Sequence, residues 1–158
     1  MIFRPTTPAD TQTLLKLAEE TAVFKSHEIV ALREVLEDFH SSPKDHQAYI
    51  TEINAEVAGF IYFAPAAMTE NVWYLYWIFV KKDLQGRSLG SKLLALAEDK
   101  ILQARGRLLL IETSGLPHYL PTRKFYLKHG YTLEAVVHDF YAVGDDLNIF
   151  RKAISAPE

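Results

Sequence analysis

The clearest pattern of apolar positions is the run Val72–Val80, nine aromatic, branched or leucine residues without a charge. A continuous run of this composition and length predicts a strand buried on both faces of a sheet. The positions after it change to a four-residue period, with apolar side chains at Leu89, Leu93, Ala97 and Ile101. This period predicts a helix that packs one face on the sheet, and a short loop containing Gly and Ser joins the two elements.

Shorter patterns predict the remaining elements, with Gly, Pro and Asn marking the turns. Before the central strand we expect a strand at Ile2–Pro5, helices from Pro8 to about Phe24 and from about Glu28 to His40, and a hairpin of Gln47–Ile53 with Val57–Ala64. After it we expect a helix from Leu89 to Arg105 capped by Gly106, a strand at Arg107–Thr113, a short helix around Phe125 that Gly130 ends, and strands at Tyr131–Tyr141 and Leu147–Lys152.

Length, composition and charge restrict the classes of protein that fit. A chain of 158 residues, 49% of them hydrophobic, suits one globular domain over residues 1–158. The net charge of −3, without Lys/Arg runs longer than two, argues against a nucleic-acid-binding face. Because no apolar stretch approaches ~18 residues, we expect no membrane span. We also expect no signal peptide, because the chain begins directly with strand-like sequence at Met1–Pro5. The absence of cysteine excludes disulfides, thiolate metal sites and an acetyl-cysteine intermediate, and favours a cytoplasmic protein.

The loop after Val80 has the composition of a phosphate-binding turn. A strand, a turn of small residues and a helix start together direct free backbone N–H groups and the positive end of the helix dipole at one point. Neither a P-loop string nor a G-x-G-x-x-G string is present. The segment Gln85-x-x-Ser88-x-Gly90 resembles the pyrophosphate loop of the GNAT superfamily of acyl-CoA-dependent N-acetyltransferases, [QR]-x-x-G-x-[GA], with Ser88 at its middle glycine. The alternative is an ordinary helix N-terminus that binds nothing.

A second segment, Thr122–Thr132, resembles the other GNAT signature, F-Y-x-x-x-G-[FY]. Phe125 and Tyr126 stand at its aromatic pair, and Gly130 with Tyr131 at its end. The two motifs make the chain similar to this superfamily over roughly residues 50 to 152. In motif it is nearest to the ribosomal-protein alanine N-acetyltransferase branch.

The resemblance implies a fold and a cofactor site. The expected fold is mixed α/β, with about seven strands and four helices, and with two parallel central strands that splay apart. Acetyl-CoA would be the acetyl donor, its pantetheine arm paired with strand backbone. The cofactor-binding residues would be Ile78, Phe79 and Val80 on the strand, and Gln85, Gly86, Arg87, Ser88, Leu89, Gly90 and Ser91 in the loop and helix start.

Two residues are the main candidates for proton transfer. Tyr126 matches the position of the family's general acid, which protonates the departing thiolate. The alternative is an aromatic on a helix flank with its hydroxyl in water. Glu112, near the end of an apolar strand, resembles the base of the alanine N-acetyltransferase branch, and its alternative is a structural carboxylate that accepts backbone N–H bonds. His118 and His138 are weaker candidates for the base.

The amine that attacks a thioester must be neutral, which restricts the acceptor. An α-amino group of pKa ~7.8 is about 10–15% neutral at pH 7, whereas less than about 0.1% of a lysine amine is neutral. We therefore expect a small molecule or peptide with a weakly basic primary amine, acetylated by direct attack in a ternary complex without a metal. Tyr74, Tyr76 and Tyr141 are the candidates for lining the acceptor site, or they fill core.

The sequence leaves two alternative functions open, and it also predicts a homodimer. A catalytically silent acyl-CoA-binding module is favoured by Ser88 and by the lack of an acidic residue in the central strand. A CoA-independent structural domain would have little reason to carry both motifs. The last strands, rich in Phe and Tyr, form a dimer contact in many GNAT proteins and predict a homodimer, because an exposed sheet edge of this composition would otherwise be a pairing hazard.

Overall fold

The computed structural model describes residues 1–154, which contain seven strands and four α-helices. The strands are β1 (Ile2–Pro5), β2 (Gln47–Ile53), β3 (Glu56–Pro65), β4 (Val72–Val80), β5 (Leu108–Ser114), β6 (Thr132–Ala142) and β7 (Asp145–Ala153). The helices are α1 (Thr11–Glu20), α2 (Ser26–Ser41), α3 (Leu89–Gln103) and α4 (Leu120–Lys128). Within residues 1–154, no helix is long and apolar enough to cross a membrane.

The strands form one sheet in the order β1-β2-β3-β4-β5-β7-β6. The β4–β5 pair is parallel, whereas β1–β2, β2–β3, β5–β7 and β6–β7 are antiparallel. The predicted mixed α/β fold, with about seven strands and four helices, is therefore confirmed. The turn between β2 and β3 lies where the hairpin pattern placed it, and Asn54 and Ala55 adopt φ angles of 53° and 63°, as a type I′ turn requires.

The chain divides into two compact units. The first comprises Met1–Ala64 with Trp77–Ala97, and the second comprises Pro65–Tyr76 with the chain from Glu98 onward. The core of the first unit includes Leu14, Leu17, Ala18, Leu32, Leu36, Ile50, Phe60 and Phe79. Gly59 of β3 permits close packing of α3, because a Cβ there would lie 2.9 Å from Leu93 Cδ1 and 3.2 Å from Phe79 O. This contact fixes the first half of α3 on the sheet.

In the second unit, successive residues of β5 alternate between two unlike faces. Ile111 is buried, whereas the next residue, Glu112, is exposed. Helix α4 packs on the buried face, where the Tyr126 ring contacts the ring of Phe150, the register partner of Ile111. The other face of β5 is the more open one.

Two predictions about element ends and burial are wrong. Helix α1 ends at Glu20 rather than near Phe24, because Ala22 takes a φ of 58° and turns the chain. Strand β4 has the predicted bounds, but it is not buried on both faces, since Tyr76 is 53% exposed.

The predicted end of α3 at Arg105 is also wrong, although Gly106 does help to cap the helix, since its N–H donates to Ile101 O at 2.7 Å. The helix ends at Gln103, and the left-handed residue after it is Arg105, with a φ of 62°. Gly106 is required for space instead, because a Cβ there would lie 2.2 Å from Ile101 Cγ2 and 2.9 Å from the Trp73 ring. The glycine therefore serves close packing between the end of α3 and β4.

Candidate active site

The loop between β4 and α3 adopts at Ser88 the backbone conformation for which glycine is usually selected. Ser88 has a φ of 63° and Gly86 a φ of 79°. A hydrogen bond from Lys92 N to Ser88 O, 3.1 Å long, begins α3, so the backbone N–H groups of the preceding helical residues point out of the helix start. The Gln85 side-chain amide donates to Val80 O at 3.1 Å and ties the loop to the strand end.

The predicted cofactor residues lie along this strand end and loop. The loop residues Gln85, Gly86, Arg87 and Ser88 are exposed. Half-buried residues are Ile78, Gly90 and Ser91, and the buried ones are Phe79, Val80 and Leu89. An exposed loop at the positive end of a helix dipole, with one guanidinium, can bind a phosphate group. Among the described residues, no group of three or more His, Asp or Glu side chains is placed to hold a metal ion.

The parallel pairing of β4 with β5 is short. It joins Val72–Leu75 to Leu108–Ile111, although β4 continues to Val80 and β5 to Ser114. On its other side β5 remains paired with β7 as far as Ser114. The parallel register therefore stops immediately before Glu112.

Tyr126 is held inside the second unit. It is 3% exposed and its ring lies 5.9 Å from that of Tyr131 and 5.7 Å from that of Phe150, centroid to centroid. Gly130, with a φ of 88°, ends α4 as predicted, and Tyr131 N donates to Tyr126 O at 3.1 Å in a Schellman cap. The alternative of a solvent-facing helix flank is therefore wrong.

The Tyr126 hydroxyl is a proton donor without a partner. Burial raises the pKa of this phenol well above its ordinary value, so it keeps its proton at neutral pH. In the described part of the chain nothing hydrogen-bonds the hydroxyl, and it is not fully enclosed. Its hydrogen-bonding capacity is thus available to a ligand.

Glu112 carries an exposed carboxylate on the opposite face of β5. No hydrogen bond or ion pair to its side chain is found among residues 1–154, so the alternative of a structural carboxylate that accepts backbone bonds is wrong. Tyr74 and Tyr76 lie close to it, with ring centroids 5.7 Å apart. Burial first, and then the charge of Glu112, raise the pKa of Tyr74.

The candidate acid and base thus approach β5 from its two faces. Tyr126 contacts the buried face through Phe150, opposite Ile111, while Glu112 points to the other face because successive strand residues alternate.

The third predicted acceptor residue, Tyr141, lies in a bulge of β6 that the sequence pattern did not predict. Four residues, His138–Tyr141, stand opposite the single residue Asp146 of β7. The Asp146 carboxylate braces the bulge by accepting hydrogen bonds from the His138 ring at 3.1 Å and from Asp139 N at 2.9 Å. Tyr141 is 46% exposed, so it does not fill core, and its ring forms a T-shaped pair with the neighbouring phenylalanine.

The sequence patterns also did not predict a partly buried polar network around Tyr131, whose ring packs against that of Tyr126. The Glu98 carboxylate accepts hydrogen bonds from the Tyr131 hydroxyl at 2.9 Å and from Lys152 Nζ at 2.8 Å. Lys152 Nζ lies 5.3 Å from the centre of the Tyr131 ring. The network holds the aromatic ring against which Tyr126 packs. Its members are too far apart in sequence for a local signal.

We compared the sequence and the structure with those of known proteins. The family model described as Acetyltransferase (GNAT) domain matches residues 44–133. A search among curated proteins found no match. A crystal structure from Desulfovibrio desulfuricans, described as a member of the GNAT family, is 32% identical, with a TM-score of 0.93 over 98% of this chain and 99% of that chain.

More distant solved structures share the fold. An aminoglycoside 6′-N-acetyltransferase complexed with coenzyme A is 18% identical, with a TM-score of 0.82 over 100% of this chain and 99% of that chain. The ribosomal-protein-S18-alanine N-acetyltransferase from Escherichia coli is 16% identical, with a TM-score of 0.81 over 99% of this chain and 96% of that chain.

Proposed function

Because the chain belongs to the GNAT family of acetyltransferases, we propose that it moves the acetyl group of acetyl-CoA to the primary amine of a small molecule or peptide. The transfer is a direct attack within a ternary complex, without a metal. One domain over residues 1–158 carries the reaction, a proposal supported by a neighbour whose fold matches over 98% of this chain.

The donor site of this proposal is the end of β4 with the loop that follows. The diphosphate of acetyl-CoA binds at the helix start formed by Gly86–Ser91, where N–H groups and the helix dipole favour an anion. The amide-bearing arm pairs with the backbone of Ile78–Val80, beyond the end of the parallel register at Leu75. A neighbour of the same fold solved with coenzyme A supports this choice of donor.

The observation that carries the proposal is the pair of unpartnered groups on the two faces of β5, the Tyr126 hydroxyl and the Glu112 carboxylate. In the proposed step the amine nitrogen bonds to the thioester carbon and the carbon–sulfur bond breaks. Glu112 takes a proton from the amine, and Tyr126 gives its proton to the departing thiolate. Tyr74, Tyr76 and Tyr141 contact the acceptor.

Tyr126→Phe tests the acid role, because it keeps the buried ring and removes only the hydroxyl. Turnover should fall by roughly 10²–10⁴-fold, with CoA affinity by calorimetry nearly unchanged. Tyr49→Phe, which removes a hydroxyl from β2 that bonds Gln47, is the matched control and should leave turnover unchanged. Full turnover in Tyr126→Phe would contradict the assignment.

Glu112→Gln tests the base role. It should shift the acid limb of the pH–rate profile, most strongly for amines of high pKa, since these depend most on a base. An unchanged profile would remove Glu112 from the mechanism. If coenzyme A binds but no amine in a broad panel releases thiol, the chain is instead a catalytically silent acyl-CoA-binding module.

We also propose a homodimer that pairs through β6. This strand is an edge of the sheet, and all eleven of its residues are exposed. Among them Leu133 and Val137 are 47% and 44% exposed. A long apolar edge is a surface that folded proteins usually cover, and a second copy of the same strand would cover it.

A further inference from the structure

The open face of the second unit carries two opposite charges that have no partner. Glu112 on β5 and Arg151 on β7 are both exposed. Neither side chain makes a hydrogen bond or an ion pair with any residue of the described chain. Exposed charges on a sheet commonly pair across strands, so an unpaired carboxylate and an unpaired guanidinium on one face are available to an external ligand.

Strand register shows that these charges are near neighbours. Arg151 stands opposite Leu110, and Glu112 stands opposite Ile149, so the two charged residues share a face and lie diagonally across the β5–β7 pair. Diagonal neighbours in a sheet lie about 7–8 Å apart, within reach of long side chains. One small molecule that carries both charge signs can therefore touch both residues.

On the same face of the sheet, two tyrosine rings of β4 lie on the side of β5 that is away from β7. Tyr74 stands opposite Leu110 across the parallel pair, so Tyr74, Leu110 and Arg151 form one row across three strands. The Tyr76 ring lies next to that of Tyr74. The face therefore offers a carboxylate, a guanidinium and two ring surfaces to one ligand.

We propose that the acceptor is an α-amino acid or a similar small amino carboxylate, with its amine beside Glu112 and its carboxylate on Arg151. This inference rests on the proposed acetyl transfer and names its substrate class. A polycationic amine would bring positive charge against Arg151, and the amine of a protein N-terminus has no carboxylate beside it. The substrate side chain lies against Tyr74 and Tyr76.

The proposed contact also assists the chemistry. In a free amino acid the neighbouring carboxylate stabilises the ammonium form and so raises the pKa of the amine. Pairing that carboxylate with the Arg151 guanidinium removes this effect and lowers the amine pKa toward the ~7.7–8.0 of a peptide α-amine. The nitrogen then loses its proton to Glu112 more easily, forms its bond to the acetyl carbon, and releases the thiolate that Tyr126 protonates.

Thiol release from acetyl-CoA by the full chain tests the inference, with α-amino acids compared with their α-amides. The amides have the less basic amine, so chemistry alone favours them, whereas we expect the acids to have the higher kcat/KM. Arg151→Gln should raise the KM for the acids about 10–100-fold and change that for the amides less than about twofold. Arg151→Lys should recover part of the loss, and Arg33→Gln, an exposed cation of α2, is the matched control.

Other outcomes overturn the inference in distinguishable ways. If amides are acetylated as well as acids, or if Arg151→Gln impairs both equally, the substrate class is wrong and acetyl transfer stands. If Arg151→Gln changes the mass by light scattering, the face is covered by a second copy and is not an acceptor site. If coenzyme A binds and no amine is acetylated, both the inference and the proposed function fail.

Discussion

Replacing Ser88 by glycine should stabilise the chain while leaving the loop conformation as it is. Ser88 has a φ of 63°, and a left-handed conformation costs an L-residue about 1–2 kcal/mol, a cost that glycine escapes. Glycine loses about 0.5–1 kcal/mol more conformational freedom on folding. The difference predicts that Ser88→Gly raises the free energy of unfolding by about 0.5–1 kcal/mol.

Thermal unfolding followed by circular dichroism measures this change. For a chain of this size, 1 kcal/mol corresponds to about 2–4 °C, so the Tm should rise by about 1–4 °C. Ser88→Ala is the matched control, because it keeps the Cβ and its strain and removes only the hydroxyl. Ala22→Gly relieves a φ of 58° in another loop and should give a similar rise.

Calorimetric titration with coenzyme A distinguishes an effect of backbone strain at Ser88 from a contact between the Ser88 hydroxyl and the ligand. Because the loop already holds its left-handed residue, both Ser88 variants should bind within about threefold of the natural chain. A fall of the Tm in Ser88→Gly beside a rise in Ala22→Gly would refute the strain argument. A similar loss of affinity in Ser88→Gly and Ser88→Ala would show instead that the hydroxyl contacts the ligand.

Three other predictions follow from single residues. Gly90→Pro should abolish coenzyme A binding in calorimetry with helicity intact, because proline fits the first turn of a helix but removes one N–H donor; retained affinity would exclude the site. Hydrogen bonds from Arg4 lower the pKa of the Asp10 carboxyl, so the resulting stability is complete above about pH 4 and is lost as the pH falls through the folded-state value. Arg4→Gln should therefore destabilise by about 1 kcal/mol in urea at pH 7, and a deficit that does not shrink as the pH falls from ~4 through the folded-state value would contradict this. Light scattering should give twice the 18.0 kDa chain mass, and Val137→Lys should return the single-chain mass; a natural chain of 18.0 kDa would remove the dimer.

The positions of β4 and α3 could be predicted because each rests on a local pattern. The apolar run matches β4 residue for residue, and the four-residue period begins where α3 begins. The burial of β4 could not be predicted in the same way: the prediction that both of its faces are buried is wrong, because Tyr76 is exposed. Apolar composition sets the preference for a strand, whereas burial depends on which element covers each face.

The end of α3 shows why a glycine after a helix can be assigned the wrong role from the sequence alone. Glycine after a helix usually marks the left-handed residue, which favoured Gly106. The structure places Arg105 there, and Gly106, one residue later, is the position that has no room for a Cβ against Ile101 and Trp73. The tight packing lies between residues distant in sequence, so no local signal carries it.

The candidate site could also be predicted only in part, namely where a residue has a local sequence signal. Glu112 could be singled out from the sequence, because it is a carboxylate near the end of an otherwise apolar strand, and the structure places it on the face of β5 opposite Ile111. The bulge that carries Tyr141 could not, because it depends on the Asp146 carboxylate reaching back to β6. Nor could the burial of Tyr126, which results from its packing against Phe150.

The burial of Tyr126 sets a condition on its proposed chemistry. A phenol of raised pKa is a poor donor to a thiolate in water, since an ordinary thiol has a pKa of about 8.5. Low-dielectric surroundings disfavour every anion, however, so a thiolate released beside Tyr126 is also a stronger base than in water, and the two shifts offset each other. The attacking amine needs the opposite surroundings, because it arrives as a solvated cation that an exposed carboxylate attracts. Direct transfer therefore requires a dry side for the leaving group and a wet side for the nucleophile, and the alternating faces of β5 at Ile111 and Glu112 supply one of each.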